Sequence, residues 1–176
     1  MTDLKKIIFF IENITLEIGR KVSWLILAMT LIAFSVALLR YFFNIGFVWM
    51  QEMYIWMHGL VFLLAAAYTL QDDKHVRVDI FYRRFSETYK AYVNIFFSII
   101  FIIPFILIVS KYSIPYILKS WFSLEKSREA GGIKFLYIYK TSIILFCFFL
   151  FIQTIALILR CVLVINRKET KIFFKS

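Results

Sequence analysis

Four long apolar runs limit what this chain can fold into: Val22–Leu39, Phe47–Leu70, Ala91–Ser110 and Thr141–Leu159. A helix needs roughly 20 mostly apolar residues to cross a bilayer. A spanning segment must satisfy its own backbone polar groups, and with this periodicity that means helix. The expected fold class is therefore all-α integral membrane, with four transmembrane helices over about 22–43, 47–70, 91–118 and 135–160. Hydrophobic residues make up 62% of the chain, well above the half typical of soluble domains. Connections are short, so residues 1–176 are expected to form a single membrane domain.

Two polar segments carry amphipathic patterns. In residues 3–20, Leu4, Ile7, Ile8, Ile11, Thr15 and Ile18 recur at helical spacing, with Lys5, Lys6, Glu12, Asn13 and Arg20 on other faces. Between spans two and three, Phe81, Phe85, Tyr89 and Tyr92 oppose Arg83, Arg84, Glu87 and Lys90. Both are expected to be interfacial helices lying along the membrane. Pro104 should kink the third span, Pro115 should mark its outer end, and Trp121 and Phe122 should anchor it at the interface.

The net charge of +10 suggests nucleic acid at first sight, but the basic residues cluster at span ends. There they serve orientation and contact with the lipid bilayer, so no nucleic-acid partner is expected. Of the 21 Lys and Arg, fourteen fall on the side of the N-terminus, second connection and tail, and seven on the other. This bias places both termini in the cytoplasm. Cys147 and Cys161 lie about 20 Å apart on one helix and cannot pair. They read as small apolar fillers. No metal-ligand spacing, phosphate loop or nucleophile motif occurs, so neither a cofactor nor an enzymatic activity is expected. The N-terminus has no cleavage pattern, and the first span is expected to remain as an anchor.

Glu52 is the one acid within the four runs. Trp49, Glu52, Trp56, Gly59, Leu63 and Ala66 follow a 3-4-3-4-3 spacing and share a helix face with small residues that permit close packing. Two readings remain open: an ion or proton site, or a structural acid near the outer interface, paired with Arg40 or a partner chain. His58 lies deeper and is expected to pack with a hydrogen bond. Its alternative, haem ligation with His75, would need His75 at similar depth, whereas His75 follows a polar stretch. Past the second span, His75, Arg77 and Asp79 alternate with Val76 and Val78. Asp79 is a candidate cap for the following surface helix, within a tight corner or a solvated loop.

Taken together, Arg40-Tyr41-Phe42-Phe43-Asn44, Trp49-Met50-Gln51-Glu52, Trp56, Phe62–Tyr68 and His75-Val76-Arg77-Val78-Asp79 form a combination that resembles one family. It is similar to the small membrane subunit, DctQ-type, of tripartite ATP-independent periplasmic (TRAP) transporters. Ser123–Gly132 is similar to a connection in one branch of these subunits. The resemblance implies a bacterial inner-membrane, multi-pass protein without catalytic function. Its implied partners are a large multi-span permease subunit, which carries substrate and sodium, and a periplasmic substrate-binding protein. It further implies organic-acid substrates and a scaffold role. The structural or partner-interface candidates, from these motifs and from the Glu52 face, are Arg40, Tyr41, Trp49, Glu52, Trp56, Gly59, His75, Arg77 and Asp79. One departure stands out. Many members have two adjacent acids after the tryptophan, whereas Gln51 precedes Glu52 here. From other classes, a haem-binding membrane anchor or a stand-alone small carrier would also suit a four-span chain.

Overall fold

The amphipathic start of the chain and its first apolar run need no break between them: no Gly-Pro or Pro interrupts residues 2–43. In the computed structural model, which describes residues 2–72, 82, 85–166 and 172, they form one helix, α1 (Thr2–Phe43). The expected separate interfacial helix is thus replaced by a continuous one. At 1.5 Å per residue its length is about 63 Å, against a hydrocarbon core of about 30 Å. Even the steepest usual tilts do not fit it wholly inside a bilayer. The amphipathic stripe faces protein in part, since Ile8 and Thr15 are buried while Leu4 and Ile7 are exposed.

Asn44 ends α1 in a left-handed conformation at φ 53, and the Ile45 N–H bonds back to the Leu39 carbonyl. Asn tolerates this conformation because its short side chain can bond locally. The second helix, α2 (Val48–Gln71), follows directly. His75, Arg77 and Asp79 lie outside the described residues.

The third helix, α3 (Glu87–Phe122), also corrects the expected boundaries. It starts at Glu87, where the Ser86 hydroxyl accepts from the Tyr89 N–H at 3.3 Å. Tyr89 and Tyr92 therefore belong to the head of the membrane helix rather than to a separate surface helix. A π-helical turn occupies Ser98–Ile102, and the Ile103 N–H bonds to the Ser98 carbonyl five residues back. Pro104 explains the placement. It has no N–H to give, and a widened turn beside it reroutes the neighbouring bonds. Pro115 does not end the helix, which runs on to Phe122. Membrane helices tolerate such breaks because neighbouring groups satisfy the released carbonyls.

The helix stops in a Schellman motif: Leu124 N–H to Trp121 carbonyl and Glu125 N–H to Ser120 carbonyl, with Leu124 left-handed at φ 44. The fourth helix, α4 (Leu136–Ile165), is the most buried of the four, with 39% of its apolar core covered against 6–11% for the others. No strand occurs among the described residues. All four helices are long and apolar enough to span a membrane.

The chain divides into two compact units. The first comprises Met1–Glu17, Ala66–Val109 and Cys147–Ser176. Its core includes Ile8, Ala67, Ala91, Ile106, Leu150, Ala156 and Cys161, and Ala91 and Ala156 are fully covered. Small side chains at such points let helix backbones approach closely. Cys147 and Cys161 are both buried and unpaired, as fillers should be. Polar ties cross this unit as well. Arg160 pairs bidentately with Glu12, and the Thr15 hydroxyl donates to the Gln153 side-chain oxygen at 3.0 Å. The second unit, Ile18–Ala65 with Ser110–Phe146, has a thinner apolar core and contains the acid of α2.

Candidate functional site

Glu52 sits in the second turn of α2, and both oxygens of its carboxylate accept hydrogen bonds. One oxygen accepts from the Ser127 hydroxyl, and the other accepts from the Ile133 N–H at 2.6 Å. Both donors belong to the loop between α3 and α4. The loop is cross-tied around them: Ser127 N–H to Ile133 carbonyl at 3.0 Å, Gly132 N–H to Glu129 carbonyl at 3.0 Å, and Glu129 N–H to the Ser127 hydroxyl oxygen at 3.1 Å. Gly131 takes φ +80, a conformation open to glycine. Gly132 is required for a different reason. A Cβ there would collide with the Ser127 side chain and with Glu52 Oε2. The glycine pair thus lets the backbone close over the carboxylate.

On the same face, Trp56 and Gly59 meet α4. Trp56 stacks on Tyr139 with centroids 5.0 Å apart and planes 13° apart. Gly59 is where the Tyr139 hydroxyl fits, and any Cβ at that position would overlap it. Beside this contact, Lys140 of α4 pairs with Glu125 and lies 4.1 Å from the centre of the Tyr116 ring. The Lys140 hydrogen bond is the largest influence holding Glu125 below its ordinary carboxylate range. Trp121 donates its indole N–H to the Thr141 hydroxyl at 3.0 Å and packs edge-on to Tyr137.

Chemically, these groups form a clamp that ties the loop between α3 and α4 to α2. Glu52 has used both oxygens on donors of its own chain, and no cluster of three metal-ligating side chains occurs among the described residues. Of the two readings of Glu52 open in the sequence, the geometry favours the structural one, with a different partner. Ser127 and the Ile133 amide take the place expected of Arg40, which is exposed. Tyr41 is 84% exposed, and Trp49 also faces outward. The clamp therefore gathers Glu52, Trp56 and Gly59, and leaves Arg40, Tyr41 and Trp49 outside it. His58 is exposed, and among the described residues it makes no packing hydrogen bond of the kind expected.

Sequence reasoning missed Ser127, Ile133, Tyr139 and the Glu125–Lys140 pair. Only the Gly131-Gly132 doublet signalled that backbone would approach something closely at that point.

A family model described as "Tripartite ATP-independent periplasmic transporters, DctQ component" matches residues 29–164, well over half of the chain. The chain belongs to the DctQ family. It is therefore a small permease component of a TRAP transporter and a multi-pass inner-membrane protein. The match covers all of α2, α3 and the Glu52 clamp. Comparison with curated proteins and with solved structures gave no match.

Proposed function

We propose that this DctQ component is a non-catalytic scaffold for sodium-coupled import of organic acids. It holds the large permease subunit while that subunit moves its cargo, and it offers its outer loop to the periplasmic binding protein. Both termini are cytoplasmic in this reading, which rests on the fourteen-to-seven distribution of Lys and Arg. That orientation puts the loop held by Glu52 at the periplasmic face, where a binding protein docks.

The observation that carries the scaffold reading is the closed state of the Glu52 carboxylate. Each oxygen accepts a hydrogen bond from the chain's own loop, which gives Glu52 a structural task within the subunit. The clamp ties the connection between α3 and α4 to α2, which suits a subunit that resists a neighbour's movement. Tyr41, Phe42, Phe43 and Trp24 leave a wide exposed aromatic surface for lipid or protein to cover.

Vesicle reconstitution tests the proposal. This chain alone should give no sodium-driven uptake of dicarboxylates, keto acids or sialic acids. Adding a cognate large permease and periplasmic binding protein should restore uptake of at least one of these. Sodium-driven uptake by the isolated chain would overturn the scaffold reading.

A further inference from the structure

A cavity of about 540 Å3 lies among α2, α3, α4 and the loop that Glu52 holds, wholly within the second unit. That volume falls in the range of ligand sites, roughly 300–1,000 Å3. Its lining changes character with depth. At the loop end stand Glu125 and Arg128, and Lys140 follows one turn into α4. The far end is apolar. There Leu63 lies three turns, about 16 Å, along α2 from Glu52, and Ile143 joins it from α4. Two cations, Arg128 and Lys140, share the lining with one anion, Glu125, so it carries one net positive charge. Glu125 is already paired with Lys140, which leaves that surplus charge at the exposed Arg128.

Ser142 is the second observation. Hydroxyls on a membrane helix ordinarily donate back to a carbonyl four residues earlier. Thr141 does so to Tyr137 at 3.0 Å, and Thr154 to Leu150 at 2.7 Å. Ser142 is 2% exposed, lines the cavity, and its hydroxyl bonds to nothing in the chain. A buried hydroxyl left in that state costs free energy that an acceptor in the cavity would recover. Ser98 and Ser120 also lack a partner, but Ser142 is the one that faces a space able to hold a ligand.

We propose that this cavity seats an anionic phospholipid from the leaflet on the side of the α3–α4 loop. Arg128 and Lys140 hold its phosphate, and the Ser142 hydroxyl donates to an ester oxygen beneath it. The first acyl carbons run along Leu63 and Ile143. Each part of the lining selects for this class. A small soluble anion would leave the apolar end empty, and a plain hydrocarbon would leave Arg128 and Ser142 without acceptors. A phosphodiester on a glycerol ester satisfies both ends, and one net negative charge matches the lining. Such a lipid is at hand, since all four helices are long and apolar enough to span a membrane. The site stands on the subunit's own residues and does not depend on the scaffold reading.

The test uses the full chain, purified and delipidated in detergent, with thermal melts against added ligand. Dioleoylphosphatidylglycerol should raise the melting temperature saturably. Dioleoylglycerol, which has the same chains and no phosphate, should not, and neither should inorganic phosphate. Arg128→Gln should weaken the apparent lipid affinity about fivefold, the effect of one basic side chain near an anionic headgroup, and Arg128→Lys should stay near wild type. Ser142→Ala separates binding from folding. Lipid-free, it should melt no lower than wild type, because it removes an unpaired buried hydroxyl, yet it should bind the lipid about two- to tenfold more weakly. An equal shift with dioleoylglycerol would show mere apolar filling and overturn the proposal. A shift with inorganic phosphate or succinate would make this a site for soluble anions and overturn it too. So would a lipid affinity that neither Arg128→Gln nor Ser142→Ala changes.

Discussion

At the scale of single residues, the loop between α3 and α4 depends on three charged groups, Glu52, Glu125 and Lys140, and on one hydrogen atom, that of Gly132. Glu52→Gln replaces an acceptor-only carboxylate by an amide that cannot accept from both donors. It should lower the melting temperature of the purified subunit, with a cost of about 1.5–3 kcal/mol for a charged hydrogen-bond acceptor. It should leave the sodium-to-substrate ratio of the assembled transporter unchanged, and a changed ratio would return Glu52 to ion coupling. Gly132→Ala should be at least as damaging as Glu52→Gln, because its methyl group meets the Ser127 side chain and Glu52 Oε2 directly. Thermal melts of the two variants side by side decide this. Glu125 adds a pH dependence. Its pair with Lys140 lowers its carboxyl from the ordinary 4.5, so the pair's contribution is present above that value and fades as pH falls through the lower folded one. Wild type should lose melting temperature in that acidic window, and Glu125→Gln should lose less. Part of this was legible beforehand. The 3-4-3-4-3 spacing put Glu52, Trp56 and Gly59 on one packed face. The donors to Glu52 were not, because a backbone N–H 81 residues away has no signature in the sequence. Charge complementarity alone points to the nearby Arg40, which the turn at Asn44 leaves exposed.

Among whole elements, the existence of all four spans was legible from hydropathy, and their ends were less so. Residues 3–20 show an apolar stripe, but such a stripe does not say what covers it. Here Ile8 and Thr15 are covered by protein, and Glu12 turns to Arg160 instead of to solvent. Pro115 read as a terminator because soluble helices stop at proline; α3 continues for seven residues beyond it. The end of α3 yields a direct test. Leu124 occupies the left-handed position that glycine favours, at a cost of about 1–2 kcal/mol for a side chain with a Cβ. Leu124→Gly should therefore raise the melting temperature of the isolated subunit, and an unchanged or lower value would show that its side chain is needed there.

For the molecule as a whole, orientation is the decisive quantity, because it decides whether the Glu52 clamp faces the binding protein. The reading with cytoplasmic termini rests on Lys and Arg counts, a statistical bias of insertion. Reporter fusions at Asn44 and Gly131 should both give periplasmic signals. A cytoplasmic signal at either would remove the basis for docking at the outer loop. The likeness to TRAP small subunits was legible from residue combinations between Arg40 and Asp79. The division into two units was not, since it arises from which turns of each long helix find neighbours.

The wide turn at Ser98–Ile102 has a further consequence for α3. Such a turn stores one surplus residue, which advances everything before it by about 100° relative to a regular helix. A wheel drawn straight through 87–122 therefore assigns the wrong side to Tyr89, Tyr92 and Asn94. Removing one residue from the turn would restore a regular helix and, in the same stroke, rotate Tyr89, Tyr92 and Asn94 by about 100° relative to Ile103–Phe122. In this helix the irregularity is what keeps the two segments in step with their neighbours.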